Sequence, residues 1–153
     1  MELILWRHGE AEKAAPNLPD FKRRLNATGR KQVARMAEWI KPRLNKKTRI
    51  LAAPSARTIE TVEFLELPYS IVDEIGVGAS TADLLAAASW PDGDGPVLLV
   101  CHQPTIGRVA SLFLLGSEVD MAVKKCGLLW LSGRERAHRS EVVLRVAMHP
   151  DMV

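Results

Sequence analysis

The sequence predicts an α/β fold in which helices cover both faces of a mostly parallel β-sheet, and three observations support this. Short, continuously apolar runs alternate with segments of helical periodicity, as is typical of strands buried on both faces. The last two apolar runs have no helix between them, which favours a closing antiparallel pair. The chain has 153 residues, 47% hydrophobic and 25% charged, the usual size and composition of one globular domain. We therefore expect residues 1–153 to form a single three-layer α/β/α sandwich.

The predicted strands are short. Residues 3–6, 50–52 and 97–101 are the clear apolar runs, and residues 70–72 are a weaker one. The closing pair is predicted at residues 128–131 and 142–146, joined by a polar, glycine-containing stretch over residues 132–140.

Four helices are predicted between these strands. The first begins after the N-cap residue Asn26 and is disturbed near its end by Pro42. Ser55 is expected to cap the second, the third covers residues 81–89, and the fourth begins at Thr105. The side chains of the second helix expected to face the core are Ala56, Ile59, Val62 and Phe64 or Leu65.

Composition excludes several classes of protein. The formal charge of +3 is small, and basic clusters such as residues 22–24 lack the interleaved aromatics of a nucleic-acid surface. No window approaches the roughly 18 apolar residues of a membrane span, and the first residues lack a signal-peptide pattern. Cys101 and Cys126 have no CxxC spacing and are expected to be reduced thiols in the core. We expect a cytoplasmic protein that binds neither nucleic acid nor membranes.

Residues with suitable chemistry for an anion follow three of the predicted strands. Arg7 and His8 follow the first, Arg57 lies shortly after the second, and His102 follows the fourth. Ligands of parallel α/β sheets bind beyond the carboxyl ends of the strands. We therefore expect these four side chains to lie together at one edge of the sheet.

The residue types at this edge point to a phosphoryl group. The forked guanidinium groups of Arg7 and Arg57 match phosphate oxygens. His8 is suited to attack phosphorus because its ordinary pKa of ~6.5 leaves it mostly neutral at pH 7. His102 can donate to a phosphate oxygen as charge develops, and Gly9 leaves room for backbone N–H groups to approach the same anion. We expect His8 to be the nucleophile.

A metal site is the less favoured interpretation of the same histidines. No carboxylate or further histidine lies at matching spacing from His8 and His102, so we expect no metal and no cofactor. His138 and His149 lie among polar or terminal residues and receive no predicted role.

Four segments carry a resemblance to a known family. Residues 5–11 contain an Arg-His-Gly, residues 53–61 are similar to Ser-Pro-x-x-Arg-Ala-x-Gln-Thr, and residues 100–104 are similar to Gly-His-x-Pro. Residues 20–29 resemble an Arg-Pro-Leu-Thr segment. Together they resemble the histidine phosphatase superfamily, and within it the small SixA-type phosphohistidine phosphatases. The departures, none of which removes a charge that the mechanism needs, are Arg24, Ala53, Glu60, Cys101 and Gln103.

The resemblance implies a phosphoglycerate mutase-like fold and a covalent phosphohistidine at His8. It also places Arg23 where the family has an additional phosphate-contacting arginine. The implied substrate is phosphohistidine on a signalling or phosphotransfer protein, either a histidine phosphotransfer domain or a carrier protein. The chain has no room for the lid insertion of larger superfamily members, so we expect an open pocket. We also expect the protein to be a monomer.

A leaving imidazole needs less protonation than a leaving alkoxide, which agrees with the absence of an assured general acid. Asp73 and Glu74 follow the third predicted strand and are the candidates, but they are equally well explained as solvated loop residues.

Alternatives remain open at this point. The same chemistry could act on a small phosphate ester or a nucleotide. A module that binds phosphorylated partners without catalysis is a second alternative. A phosphomutase is least favoured, because nothing in the sequence would close over an intermediate and exclude water.

Overall fold

The computed structural model describes residues 1–137 and 139–153, so His138 lies outside the described residues. Within these ranges, six strands form one sheet in the order β3-β2-β4-β1-β5-β6. Strands β1 to β4 are parallel, whereas β5 runs antiparallel to both β1 and β6. The strands are β1 (Glu2–Arg7), β2 (Arg49–Ala52), β3 (Ser70–Ile71), β4 (Val97–Cys101), β5 (Leu128–Arg136) and β6 (Arg139–Met148).

Helices cover both faces of this sheet. They are α1 (Ala27–Ile40), α2 (Ala56–Glu63), α3 (Thr81–Ala88) and α4 (Thr105–Leu115), with short 3-10 turns at Asp20–Lys22, Lys41–Arg43, Asp73–Ile75 and Pro150–Met152. Because side chains alternate along a strand, Leu3 and Leu5 pack in one core with α3 and α4, and Ile4 and Trp6 pack in the other with α1 and α2. The predicted three-layer α/β/α fold is confirmed.

The two central strands are buried on both faces, and this determines their register. All five residues of β4 are buried, as are Leu3 to Trp6 of β1. A slip by one residue would exchange the residues that face the two cores, so the pairing is strongly specified. In the observed register Arg7 lies opposite Cys101, at the carboxyl end of both strands.

The helix boundaries largely follow the predicted caps. Asn26 caps α1, its Oδ1 accepting the Gly29 N–H at 2.8 Å, and α1 ends at Ile40 before the 3-10 turn that contains Pro42. Ser55 occupies the N-cap position of α2, but its side chain forms no cap hydrogen bond. The predicted position of the cap is therefore confirmed, whereas the predicted capping role of the Ser55 side chain is wrong.

The inward face of α2 also differs from the prediction. The buried residues of the helix are Arg57, Thr58, Thr61 and Val62, whereas Ile59 is only half-buried. The threonine hydroxyls can be buried because they donate to backbone carbonyls, Thr58 to Ala53 at 2.6 Å and Thr61 to Arg57 at 2.7 Å. Hydrophobic periodicity does not detect a face made of satisfied polar groups.

The closing strands are longer than predicted. Residues 132–136, 139 and 140, expected to belong to a polar connection, continue the antiparallel pairing of β5 and β6. This part of the hairpin is largely exposed, so polar side chains are compatible with a strand, and Arg134 pairs with Glu141 at 2.9 Å across it.

The cysteines agree with the prediction. Cys101 and Cys126 are free and buried, and burial raises the pKa of each thiol to about 12. None of the helices in the described part of the chain is both long and apolar enough to span a bilayer.

Candidate active site

The pairing of β1 with β4 places two histidines side by side. His8 and His102 are the first residues after these strands, and Arg7 lies opposite Cys101 in the register. The two imidazole rings are consequently 5.2 Å apart between centroids, at an interplanar angle of 62°. The backbone of the central strands therefore sets the separation of the histidines.

A cavity of about 220 Å³ lies at this edge of the sheet. The structure thus brings together the four predicted catalytic side chains and Arg23, from segments far apart in the sequence. The cavity is lined by Arg7, His8, Ala11, Arg23, Arg57, Val77, His102, Gln103 and Lys125.

The hydrogen bonds of His8 identify which ring nitrogen is free to react. Nδ1 lies 2.7 Å from the carbonyl oxygen of Gly9, and because a carbonyl only accepts, Nδ1 must carry the proton. Nε2 of the neutral ring then has the lone pair, and it accepts a hydrogen bond from Nε of Arg57 at 3.3 Å. The free nucleophilic atom is therefore Nε2.

Both histidines are kept neutral, mainly by burial. Burial lowers the pKa of His8 to about 3; the hydrogen bond to Gly9 opposes this shift, while positive charge on His102, Arg57 and Arg7 adds to it. Burial also lowers the pKa of His102 to about 4, with Arg57 as the next cause. Burial is thus a larger cause of the low pKa of His8 than the neighbouring cations are.

Ser55 connects His102 to the start of α2. Its Oγ lies 2.8 Å from Oγ1 of Thr58 and 3.4 Å from Nε2 of His102. Thr58 donates its own proton to the Ala53 carbonyl, so Ser55 donates to Thr58 and presents a lone pair to His102. This arrangement favours the His102 tautomer with its proton on Nε2, which donates to Ser55 in the free site and has to turn from Ser55 to donate to a phosphoryl oxygen.

Arg57 is held by three groups at once. Its Nε contacts His8, its Nη1 donates to the Asp20 carbonyl at 2.9 Å, and its Nη2 donates to Oδ2 of Asp20 at 3.0 Å. The side chain is only 5% exposed. The Arg57 guanidinium in turn contributes to holding the pKa of Asp20 below its usual range, although partial burial opposes this shift. An ionised carboxylate thus fixes the arginine.

Arg7 is anchored on the opposite side by the loop before β5. Its Nη1 donates to the Val123 carbonyl at 2.7 Å, and burial lowers its pKa. Its buried Nε has no hydrogen-bond partner among the residues that the structure describes. A buried guanidinium N–H without an acceptor, in the wall of a cavity, is suited to an anion.

The two predicted substrate-binding residues have different positions. Arg23 lines the cavity, where its Nε and Nη2 contact Oδ1 of Asp20 at 3.0 Å and its Nη1 donates to the Glu12 carbonyl at 2.7 Å. Gly9 lies behind the cavity wall, and its N–H donates to Oγ1 of Thr61 at 3.2 Å.

Gly9, predicted to leave room for backbone N–H groups at the anion, is not among the residues that line the cavity. Glycine is required here by packing, because an added Cβ would lie 2.6 Å from Cγ2 of Val33 and 2.9 Å from the Gly29 carbonyl oxygen.

Neither candidate general acid lines the cavity. Asp73 and Glu74 are exposed on the 3-10 turn after β3, and the cavity wall takes Val77 from the following loop instead. Within residues 1–137 and 139–153, no three side chains of His, Cys, Asp or Glu are grouped to hold a metal ion.

Sequence reasoning missed three contributors to the site: Asp20, Ser55 and the loop that contains Val123. Asp20 was part of a recognised segment but received no role, because a carboxylate is not expected beside a phosphate site. The available signal was the spacing of Ser55 and Thr58, because hydroxyl groups three residues apart at the start of a helix can hydrogen-bond to each other. The loop over residues 116–127 has no periodicity from which its path could be predicted.

Comparison with known proteins gives one family-model match and several similar folds. Residues 3–75 match the family model for the histidine phosphatase superfamily (branch 1), whereas no curated protein matches the chain in sequence. The fold is similar to SixA from Agrobacterium tumefaciens, with a TM-score of 0.79 and 22% identity over 97% of each chain. It is also similar to the protein histidine phosphatase SixA complexed with tungstate, with a TM-score of 0.78 and 22% identity over 99% of each chain. SixA from Nakamurella multipartitia gives a TM-score of 0.76 and 21% identity, over 97% of this chain and 95% of that one.

The family-model match and the fold similarity cover different parts of the chain. The matched segment contains Arg7, His8, Arg23 and Arg57, whereas His102 lies beyond it and is placed in the site by the sheet. The resemblance predicted from the motifs is confirmed. Residues 3–75 match the model of the histidine phosphatase superfamily (branch 1), and over nearly its whole length the chain has the phosphoglycerate mutase-like fold of the SixA structures.

Proposed function

We propose that this protein is a phosphohistidine phosphatase, which removes the phosphoryl group from a histidine of another protein by way of a covalent phosphohistidine at His8. One observation carries the proposal. The cavity is lined by two neutral histidines, three arginines and a lysine, but by no carboxylate among the residues that the structure describes.

This composition favours a leaving group that needs no general acid. An alkoxide leaving from a phosphate ester is strongly basic and has to be protonated as it departs. A phosphohistidine that is protonated on its other ring nitrogen leaves as a neutral imidazole. A cavity wall with cations for the phosphoryl oxygens and no carboxylic acid for the leaving group, among the described residues, is therefore better matched to a phosphoramidate than to an ester.

In the first step, the lone pair on Nε2 of His8 forms a bond to phosphorus while the P–N bond of the substrate breaks. Arg57 donates to this lone pair in the free site, so its Nε keeps its proton and has to redirect its hydrogen bond from His8 to a phosphoryl oxygen. The His8 ring becomes cationic because Nδ1 keeps its proton, and the hydrogen bond to the Gly9 carbonyl stabilises that charge.

In the second step, water attacks phosphorus and the bond to Nε2 breaks, returning its electron pair to His8. The two hydrogens of the water leave with the product as dihydrogen phosphate, which restores the neutral ring. Arg7, Arg57 and the Nε2 proton of His102 stabilise the charge on the equatorial oxygens in both steps.

The openness of the site favours a protein substrate. Between α2 and β4 the chain forms only β3, a 3-10 turn and α3, with no inserted segment to cover the cavity. A cavity of about 220 Å³ accommodates a phosphoryl group and little of its carrier. The proposed partner is a histidine phosphotransfer domain or a phosphocarrier protein.

A comparison of substrates tests the proposal. We expect a histidine phosphotransfer domain phosphorylated with phosphoramidate to be hydrolysed with a kcat/KM about 1000-fold above those of phosphoserine, nucleoside monophosphates and p-nitrophenyl phosphate. His8→Ala should lower this activity at least about 1000-fold, whereas His149→Ala, outside the cavity, should not. An acid-labile phosphoryl enzyme should be trapped with wild-type protein and not with His8→Ala.

The alternatives predict other results. Faster turnover of the esters or nucleotides would assign a small-molecule substrate. Binding of the phosphorylated domain without phosphate release would indicate a non-catalytic module.

A further inference from the structure

We propose that the exposed segment over residues 12–24, named here the rim loop, is the surface on which the phosphoprotein substrate docks, with Phe21 and Lys22 as its main contacts. This inference rests on the proposed function. The occupant that the loop fits is a phosphohistidine protein with apolar and acidic side chains next to its phosphorylated residue.

The rim loop has a defined conformation, because its two ends are held together. Its base is closed by the bridge between Ala11 and Leu25 and by the hydrogen bond from the Glu12 N–H to the Arg24 carbonyl at 2.8 Å. Nearly all of its side chains are exposed. The loop therefore presents a defined surface to solvent.

The loop is tied directly to the cavity. Both the backbone carbonyl and the carboxylate of Asp20 accept hydrogen bonds from Arg57, and Arg23 lines the cavity itself. Phe21 and Lys22 lie between these two anchors in the chain. The backbone of both residues is consequently held close to the cavity.

A protein substrate has to cover the mouth of the cavity. The two imidazoles that receive the phosphoryl group are buried at the ends of β1 and β4. An imidazole side chain is short, so the backbone that carries a phosphohistidine must lie against the rim when phosphorus reaches Nε2 of His8. A small phosphoramidate reaches the same atom without contacting the rim.

The chemistry of the rim defines the partner. Phe21 is 58% exposed, and Val77, in the cavity wall, is 63% exposed, so both side chains are accessible to a bound partner. Exposed aromatic residues are frequent energetic centres of protein interfaces. An apolar patch next to the phosphohistidine of the partner protein would be buried against Phe21 and Val77.

Lys22 supplies charge that is not neutralised within the chain. Of three consecutive cations, Arg23 pairs with Asp20 and Arg24 with Glu60, whereas Lys22 has no carboxylate at ion-pair distance in the described ranges. Its Nζ lies 5.8 Å from the Phe21 ring centroid. The rim thus offers a cation beside an aromatic ring, which complements an acidic and apolar surface.

Binding and turnover of two probes separate docking from chemistry. Affinity for the phosphorylated histidine phosphotransfer domain is measured by calorimetry in a His8→Ala background, where no hydrolysis is expected. Phe21→Ala should weaken binding about tenfold. Lys22→Glu should weaken it about threefold at low ionic strength, and less as salt is added. Without the His8 change, both variants should hydrolyse free phosphohistidine within about twofold of wild type.

Matched controls lie at the opposite end of the molecule. Leu115 is 66% exposed at the far end of α4, and Lys46 is exposed before β2. Leu115→Ala and Lys46→Glu should leave both probes unaffected. If Phe21→Ala and Leu115→Ala bind the phosphorylated domain equally well, the docking surface is wrong. It is also wrong if Phe21→Ala loses as much activity on free phosphohistidine as it loses affinity for the phosphorylated domain. If wild-type protein hydrolyses neither probe, the proposed function fails, whereas the binding measurement still decides the docking surface.

Discussion

The two regions that form the candidate active site, the strand ends and the surrounding loops, position their residues in different ways. His8 and His102 each follow a buried strand directly, and the pairing of β1 with β4 sets the 5.2 Å between their rings. Arg57 lies on α2 and depends on contacts from Asp20, a residue of the exposed rim loop. The nucleophile is thus placed by buried backbone, and the phosphate clamp by side-chain hydrogen bonds.

This difference indicates which part of the site can adjust. Moving the histidines would require a change in a sheet whose central strands are buried on both faces. Moving Arg57 requires only that side-chain hydrogen bonds to His8 and Asp20 be exchanged for contacts with a phosphoryl group. A rigid nucleophile and an adjustable clamp suit a site that must accept a phosphoryl group and release phosphate in each cycle.

Replacing the arginine fork should have the largest effect. Arg57→Lys retains the charge but cannot contact His8, Asp20 and a phosphoryl oxygen together. We expect kcat/KM for phosphorylated protein to fall about 100-fold or more in steady-state assays. The control is Arg49→Lys. The Arg49 guanidinium donates to the Ala88 carbonyl at the opposite edge of the sheet, so this variant should retain activity. Full activity of Arg57→Lys would show that the fork is not required.

Acid should reveal how firmly the histidines are buried. Below pH ~6.5 the unfolded chain takes up a proton on each of these histidines, whereas the folded protein does so only near pH 4 for His102 and pH 3 for His8. The unfolded state binds more protons in this window, so stability falls as pH decreases through it. We expect the free energy of unfolding to be lower at pH 5 than at pH 7.5 by about 1–2 kcal/mol for each histidine, as measured by urea unfolding at the two pH values.

A variant assigns this acid sensitivity to its source. His8→Gln should lose roughly half of the difference in unfolding free energy between the two pH values. If the wild-type protein and the variant lose the same stability, burial of His8 is not the cause.

Removing the carboxylate that holds the clamp should have the smallest effect. Asp20→Asn keeps the shape and one acceptor but weakens the contacts to Arg57 and Arg23. We expect kcat to fall about fivefold, while inorganic phosphate inhibits at least as well as before, because the competing negative charge is gone. The control is Asp151→Asn, which removes an exposed ion pair with Lys124 and should be neutral. An unchanged kcat would mean that Asp20 does not position Arg57.

The parts of the fold that were predictable are those where burial imposes a pattern. The run at residues 97–101 could be recognised because β4 is buried on both faces, and Asn26 because a cap needs a short polar side chain. Residues 132–136 were not recognised as strand because the hairpin is exposed, and Ile59 was misplaced because α2 buries threonine hydroxyls instead. Hydrophobic periodicity does not report on exposed or polar-satisfied structure.

By itself, the sequence determined that Arg7, His8, Arg57 and His102 would lie at one edge of the sheet, because each follows a strand whose carboxyl end the parallel topology brings there. Only the tertiary structure decided that Nε2 of His8 is the free nitrogen. It also decided that the Gly9 N–H is bonded to Thr61, and that Asp20 folds back onto the arginines. The physical reason is that these hydrogen bonds join distant residues through the path of irregular loops, which no local pattern encodes.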